Sequence, residues 1–141
     1  MKIDYAAILI KKAALEFDKI SNQLLEKYDL TSAQYKVLKY LYEEAENGVR
    51  ITDLERYYSM THPTTIGIVQ NLEKKGLIGY QDNPNDQRSR YIIPTKKAID
   101  MHDDLVAIGE VLEKELTKNL NNKERKELVS LLKKVLDVPV E

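Results

Sequence analysis

The sequence contains no cysteine and no tryptophan, a single phenylalanine and only two histidines among its 141 residues. Without cysteine there is no disulfide, no thiol nucleophile, no thiol-based peroxide switch and no thiolate metal ligand. Two isolated histidines, His62 and His102, are not expected to make a zinc site within one chain, which leaves only ligands combined across a dimer interface. No Ser/His/Asp set, paired-carboxylate motif or phosphate-cradling glycine loop accompanies them, so a non-enzyme with no cofactor and no metal is expected. Glycine (5) and proline (4) are also scarce, while Leu, Lys, Glu and Ala dominate, which favours a mostly helical chain. Long hydrophobic runs are missing too. Ala6–Ile10 meets Lys11-Lys12 within a few residues, so neither a signal peptide nor a membrane span is expected, and the expected location is the cytoplasm.

The residues present suit one soluble domain, 43% apolar and 32% charged, long enough to bury a core. The net charge of −1 is unevenly spread. Residues 50–97 carry eight Lys/Arg against five Asp/Glu, an excess of three positive charges, between flanks of −1 and −3. A local positive field on an acidic scaffold suits a phosphate-binding module.

Periodicity and capping signals divide the chain. A first helix over about 4–27 carries the stripe Ala6, Ile10, Ala13, Phe17, Ile20, Leu24, spaced for packing against its own chain or another. Asp29-Leu30-Thr31 breaks it, and Thr31 with Gln34 forms a capping box for a second helix over about 32–46, closed by Asn47-Gly48. A short helix over about 52–58 and the turn Ser59-Met60-Thr61 lead to a helix over about 62–75. Thr61 is its N-cap, Pro63 lies in its first turn, and Ile66, Val69 and Leu72 form its inner face. The stretches 78–82 and 89–93 flank a loop of turn formers and read as a β-hairpin. Thr95 caps a long helix over about 96–120. Asn121 with Glu124 caps a last helix over about 122–136, expected to bury Leu128, Leu131 or Leu132, Val135 and Leu136. Pro139 lies in a terminal tail expected to fray.

A short helix, a tight turn and a second helix with a thin polar front are what a helix-turn-helix inserts into the DNA major groove. Pro63, Thr64, Gly67, Ile68, Asn71 and Lys74 share that outer side. Glycine in mid-helix costs about 1 kcal/mol against alanine, so Gly67 points to a close approach, either to DNA or to another helix. The Thr, Gln70 and Asn71 side chains can hydrogen-bond base edges, and Ile68 can meet a thymine methyl. Lys74 and Lys75 suit phosphates, and His62 a cap or a phosphate contact. Arg88 and Arg90, at and beside the hairpin tip, suit a minor groove, with Asp86 holding Arg88 by an ion pair.

These stretches together resemble the MarR family of winged-helix regulators. The resemblance is carried by Leu30-Thr31-Ser32-Ala33-Gln34-Tyr35, Ile51-Thr52-Asp53-Leu54, Met60-Thr61-His62-Pro63-Thr64-Thr65, Leu72-Glu73-Lys74-Lys75-Gly76-Leu77-Ile78 and Asn83-Pro84-Asn85-Asp86-Gln87-Arg88. It implies a mostly α fold with a small β-hairpin wing, a single domain over 1–141. Residues of about 31–95 would form the winged helix-turn-helix, and about 1–28 and 96–141 the dimerisation helices, which are the first, fifth and sixth by sequence. It further implies a homodimer on a pseudo-palindromic double-stranded DNA operator, most often repressing, and released by a small phenolic or amphipathic effector. Thr61, His62, Pro63, Thr64, Thr65, Gly67, Ile68, Gln70, Asn71, Lys74, Asp86, Arg88 and Arg90 are the DNA-binding candidates. Phe17, Tyr28, Tyr35, Tyr42 and Met101 are the candidates for lining an effector cleft. Several positions depart from the family's pattern: Asn83, Gln87, Tyr80, Glu55 and Lys97 replace its usual Asp, Arg, Arg, small residue and Gly. A winged helix that binds protein rather than DNA is the alternative those missing arginines favour.

Overall fold

A computed structural model describes residues 5–138. Asp4, at the expected start of the first helix, and Pro139 lie outside those residues. The elements run α1 (Ala6–Leu25), α2 (Ser32–Glu44), α3 (Ile51–Tyr58), α4 (His62–Lys74), β1 (Ile78–Gln81), β2 (Tyr91–Pro94), α5 (Lys96–Asp100), α6 (His102–Leu116) and α7 (Asn122–Val135). Short 3-10 turns at Glu26–Tyr28 and Ala45–Asn47 end α1 and α2.

Local chemistry sets most boundaries. Asp29 takes a left-handed conformation (φ 56°), which stops the 3-10 turn. Thr31 and Gln34 exchange both capping-box hydrogen bonds, and so do Asn121 and Glu124. The start of α2 is also tied to α1: Asn22 Oδ1 accepts from the Ser32 backbone N–H at 2.7 Å, and the Ser32 hydroxyl donates to Asp18 at 2.9 Å. Gly48 has φ +78°, and a Cβ there would stand 2.6 Å from the Tyr91 ring. No other residue meets both conditions without strain. That turn lets the Val49 carbonyl accept from Ile92 N–H at 2.7 Å, adding one bond along the edge of β2 that faces away from β1.

The strands pair antiparallel, with Ile78 opposite Pro94 and Gln81 opposite Tyr91. Pro94 is the last residue of the second strand, and Thr95 N–H continues the pairing to the Leu77 carbonyl. Proline is tolerated at such a sheet end, where no ladder bond needs its missing N–H.

One core joins α2, α3, α4, the sheet and α6 through Val37, Leu38, Leu41, Leu54, Val69, Leu72, Ile92 and Leu105. The long helix expected over 96–120 is interrupted at Met101. The Tyr42 hydroxyl donates to the Ala98 carbonyl at 2.5 Å, the acceptor that an uninterrupted helix presents to residue 102. Among the described residues no helix is long and apolar enough to cross a membrane.

Large apolar side chains left exposed concentrate on three helices. They are Ile8, Leu9, Ile10 and Leu15 of α1, Val106 and Val111 of α6, and Leu128, Val129, Leu131 and Val135 of α7. The expectation that α7 buries its leucines fails within one chain: Leu131 is 59% exposed, and no residue of α7 is buried. Ala6, Ile10 and Ala13 of the α1 stripe are exposed as well. Surface of this kind, spread over three helices, exceeds what scattered exposed hydrophobics explain.

Candidate nucleic-acid interface and a neighbouring cleft

The turn between α3 and α4 is closed by Ser59 in a left-handed conformation and by Met60 N–H donating to the Glu55 carbonyl at 2.9 Å. Thr61 then caps α4, its hydroxyl oxygen accepting from Thr64 N–H at 3.3 Å, with Pro63 in the first turn. This fixes which side of α4 faces inward. Val69 and Leu72 enter the core, whereas Pro63, Thr64, Gln70, Asn71 and Lys74 are exposed in a row. A Cβ on Gly67 would meet nothing within 4 Å. The glycine therefore answers to no helix crossing within the chain and leaves a shallow open strip along the helix.

Two candidates on α4 fall elsewhere. Thr65 is fully buried, its hydroxyl donating to the Thr61 carbonyl at 2.9 Å. A threonine whose polar atom is satisfied by its own helix packs as a small apolar residue. Ile68 is half-buried and packs against the core rather than projecting outward. Lys75, expected on phosphates, is engaged internally. Its ammonium donates to the Asp29 carbonyl and to Gln34 Oε1, while Lys74 stays exposed.

The wing is organised by two side chains. Asn83, 5% exposed, accepts from Asn85 N–H at 2.9 Å, and Asp86 accepts from Arg88 N–H at 3.0 Å. Asp86 also pairs with the Arg88 guanidinium at 3.7 Å, as expected, and the Arg88 side chain is 96% exposed. Arg90 does not stand free. It lies over the Tyr80 ring, 4.2 Å from its centroid, and the Tyr80 hydroxyl donates to Glu73 at 3.0 Å. Burial, then Glu73, raise the Tyr80 phenol above its ordinary pKa, with Arg90 opposing them.

Between the starts of α3 and α4 and the wing lies a concavity of about 290 Å³, where Arg50, Thr52, His62, Arg88, Ser89 and Arg90 converge. Arg50 and Thr52 are additions to the sequence-derived set. Arg50 precedes a helix whose Asp53 accepts from its backbone N–H at 2.8 Å, and nothing local to the sequence marks its side chain as part of a cluster. Burial pushes the Asp53 carboxyl up, but its bonds to Arg50 prevail and hold it below the usual range. His62 Nδ1 contacts Glu55 Oε1 at 3.0 Å.

A second region flanks Tyr35, between α2 and α6. One cleft of about 570 Å³ is lined by Tyr35, Lys39, Tyr42, His102, Val106 and Arg125, among others. Another of about 460 Å³ is lined by Phe17, Tyr35, Lys36, Tyr40, Tyr57 and Tyr58, among others. Gly109 permits the close helix approach here, since a Cβ would lie 2.7 Å from the Tyr35 hydroxyl. Of the five expected cleft residues, Phe17, Tyr35 and Tyr42 line these spaces. Tyr28 and Met101 pack against the core instead. Burial pushes the Tyr42 phenol up to about 12 and raises Tyr58 further; Tyr35 is raised by burial, then by Glu43. Tyr40, Tyr57 and Tyr58, absent from the expected cleft set, join this lining. Their ring centroids lie 4.8–6.3 Å apart in tilted and edge-to-face pairs that join α2 to the end of α3.

The MarR family model matches residues 28–89. The multiple antibiotic resistance protein MarR of Escherichia coli (strain K12) is 32% identical over 120 residues, 84% of this chain and 82% of that protein. The S. aureus MepR–DNA complex superimposes with a TM-score of 0.84 at 27% identity, covering 96% of this chain and 98% of that one. A mutant of E. coli MarR complexed with operator DNA gives a TM-score of 0.81 at 30% identity, covering 92% of each chain.

Proposed function

The chain belongs to the MarR family, and from that membership we propose that it is a sequence-specific transcriptional repressor, not an enzyme, working in the cytoplasm as a homodimer on a pseudo-palindromic double-stranded DNA operator. The observation that carries the reading is the outer side of α4. Its exposed row Pro63, Thr64, Gln70, Asn71 and Lys74 runs past the open strip at Gly67, beside a concavity holding three arginines. The fold shared with MepR and MarR in their DNA complexes supports it.

Each group has a role in that reading. Thr64, Gln70 and Asn71 meet base edges; Lys74, Arg50 and Arg90 meet phosphates; and Arg88 enters the flanking minor groove. Residues of about 31–95 form the DNA-binding region. The helices before and after it join two copies, covering the apolar side chains that α1, α6 and α7 leave exposed. Two recognition helices then have to lie about 34 Å apart, one helical turn. The clefts beside Tyr35 lie where α2 of the DNA-binding region meets α6 of the dimerisation region. A small aromatic or amphipathic effector bound there would alter that spacing and release the operator.

The test is binding to DNA upstream of the protein's own coding region, and to a random-sequence library, in a salt series. The reading expects tight, salt-sensitive binding, weakened by Arg88→Ala and made less discriminating by Asn71→Ala. Absence of binding to any duplex at low salt would overturn it in favour of a winged helix that binds protein.

A further inference from the structure

The structure assigns Glu55 and His62 to a single reading unit: we propose that Glu55 fixes the tautomer of His62, so that His62 selects adenine or cytosine at one position of each half-site. The proposal rests on the DNA-binding reading above and deepens it.

His62 is the first residue of α4, and its side chain is 66% exposed; Glu55, on α3, is 19% exposed. Their contact, Nδ1 to Oε1, is 3.0 Å. An ionised carboxylate oxygen only accepts, so at this distance Nδ1 must carry a proton. In the neutral imidazole the remaining nitrogen, Nε2, is then an acceptor. Glu55 is held for this task at both ends, because its own carbonyl accepts the turn-closing N–H of Met60.

The surroundings sharpen the consequence. His62 shares its concavity with Arg50, Arg88 and Arg90, all donors only. An acceptor at the leading end of α4 complements them. In the major groove, adenine N6 and cytosine N4 donate, whereas guanine and thymine present acceptors at the corresponding edge. A histidine free to exchange tautomers would accept from one pair of bases and donate to the other, with little net preference. Glu55 removes that freedom. Its position at the helix-turn-helix seam makes it a positioning residue, with no DNA contact of its own.

The experiment uses the full-length chain and the duplex it selects from a random library. Affinities of the wild type and of His62→Ala, Glu55→Ala and Glu55→Gln are measured for that duplex and for its single-base substitutions, in a salt series, with thermal melts confirming folding. In parallel, 15N imidazole spectra of the free protein at pH 8.5 report which ring nitrogen carries the proton. The expected result is a symmetric pair of positions preferring adenine or cytosine by about fivefold, the worth of one hydrogen bond. His62→Ala erases that preference and no other. Glu55→Ala and Glu55→Gln reduce it although His62 remains, and the wild-type spectrum shows Nδ1–H. The proposal is overturned if His62→Ala lowers affinity equally for all sequences and reduces the salt slope by about 0.9 per histidine, which marks a phosphate contact. It is equally overturned if the Glu55 variants keep the preference or if the proton resides on Nε2. A wild type that enriches no sequence sinks the DNA-binding reading itself, which keeps the two failures apart.

Discussion

Replacing Gly67 by alanine adds one methyl group to the middle of α4, at a point where nothing lies within 4 Å of the added carbon. The effect on folding follows from backbone entropy alone. Glycine in a helix interior is worse than alanine by about 0.5–1 kcal/mol, and no clash offsets the gain. With an unfolding entropy of about 2.1 cal/mol/K per residue over 141 residues, Gly67→Ala should raise the melting temperature by about 2–3 °C at fixed protein concentration. The effect on DNA binding should have the opposite sign. The same methyl projects from the strip between Thr64 and Asn71, where a base edge or sugar would come closest, and displacing a helix from a groove by a fraction of an ångström weakens every hydrogen bond along it. A loss of about tenfold or more, roughly 1.4 kcal/mol, is expected. Calorimetric melts and fluorescence anisotropy on the selected duplex measure the two quantities on one preparation. A variant that melts lower would mean that the helix side at Gly67 is packed after all. One that melts higher and binds DNA as before would mean that the glycine has nothing to do with the groove.

Other outcomes follow from single features. Leu131→Lys should shift sedimentation from dimer to monomer, weakening association by about two orders of magnitude or more, since about 1.5–3 kcal/mol per buried leucine is lost on both sides; unchanged sedimentation would place the interface elsewhere. Gly48→Ala should destabilise the fold by about 2–4 kcal/mol in urea titrations, combining a positive φ with a Cβ set against the Tyr91 ring. The Tyr42 phenol, at about 12, lies above its ordinary value of 10.0. Its contribution to stability should therefore be complete below pH 10 and fade as the pH rises through 12. Tyr42→Phe should flatten that part of the alkaline unfolding profile, and a profile identical to wild type would count against a phenol raised by burial at this position.

Much of the fold is written in local signals. Thr31, Thr61, Thr95 and Asn121 each cap the helix that follows, because a cap is a bond between residues three apart and needs no tertiary context. What was hidden depends on partners far along the chain. The break at Met101 follows from a hydroxyl 56 residues away. Lys75 looks like a free cation until Asp29 and Gln34 fold beside it. Thr65 reads as polar because the sequence does not show that its own helix accepts the hydroxyl proton. Arg50 joins the wing arginines only when the α2–α3 turn folds at Gly48. The apolar spacing of α7 was legible, but not that a single chain fully buries none of its residues.

That last feature bears on how such a regulator responds to its own abundance. In the proposed homodimer, which would cover the α7 and first-half α1 faces that a lone chain leaves open, two copies must meet before either presents a complete operator-binding surface. Near the concentration at which half the copies are paired, the active species grows faster than the amount of protein made. Dilution at cell division, or a modest change in synthesis, would then lower operator occupancy more than proportionately, so gene dosage itself becomes an input to the circuit.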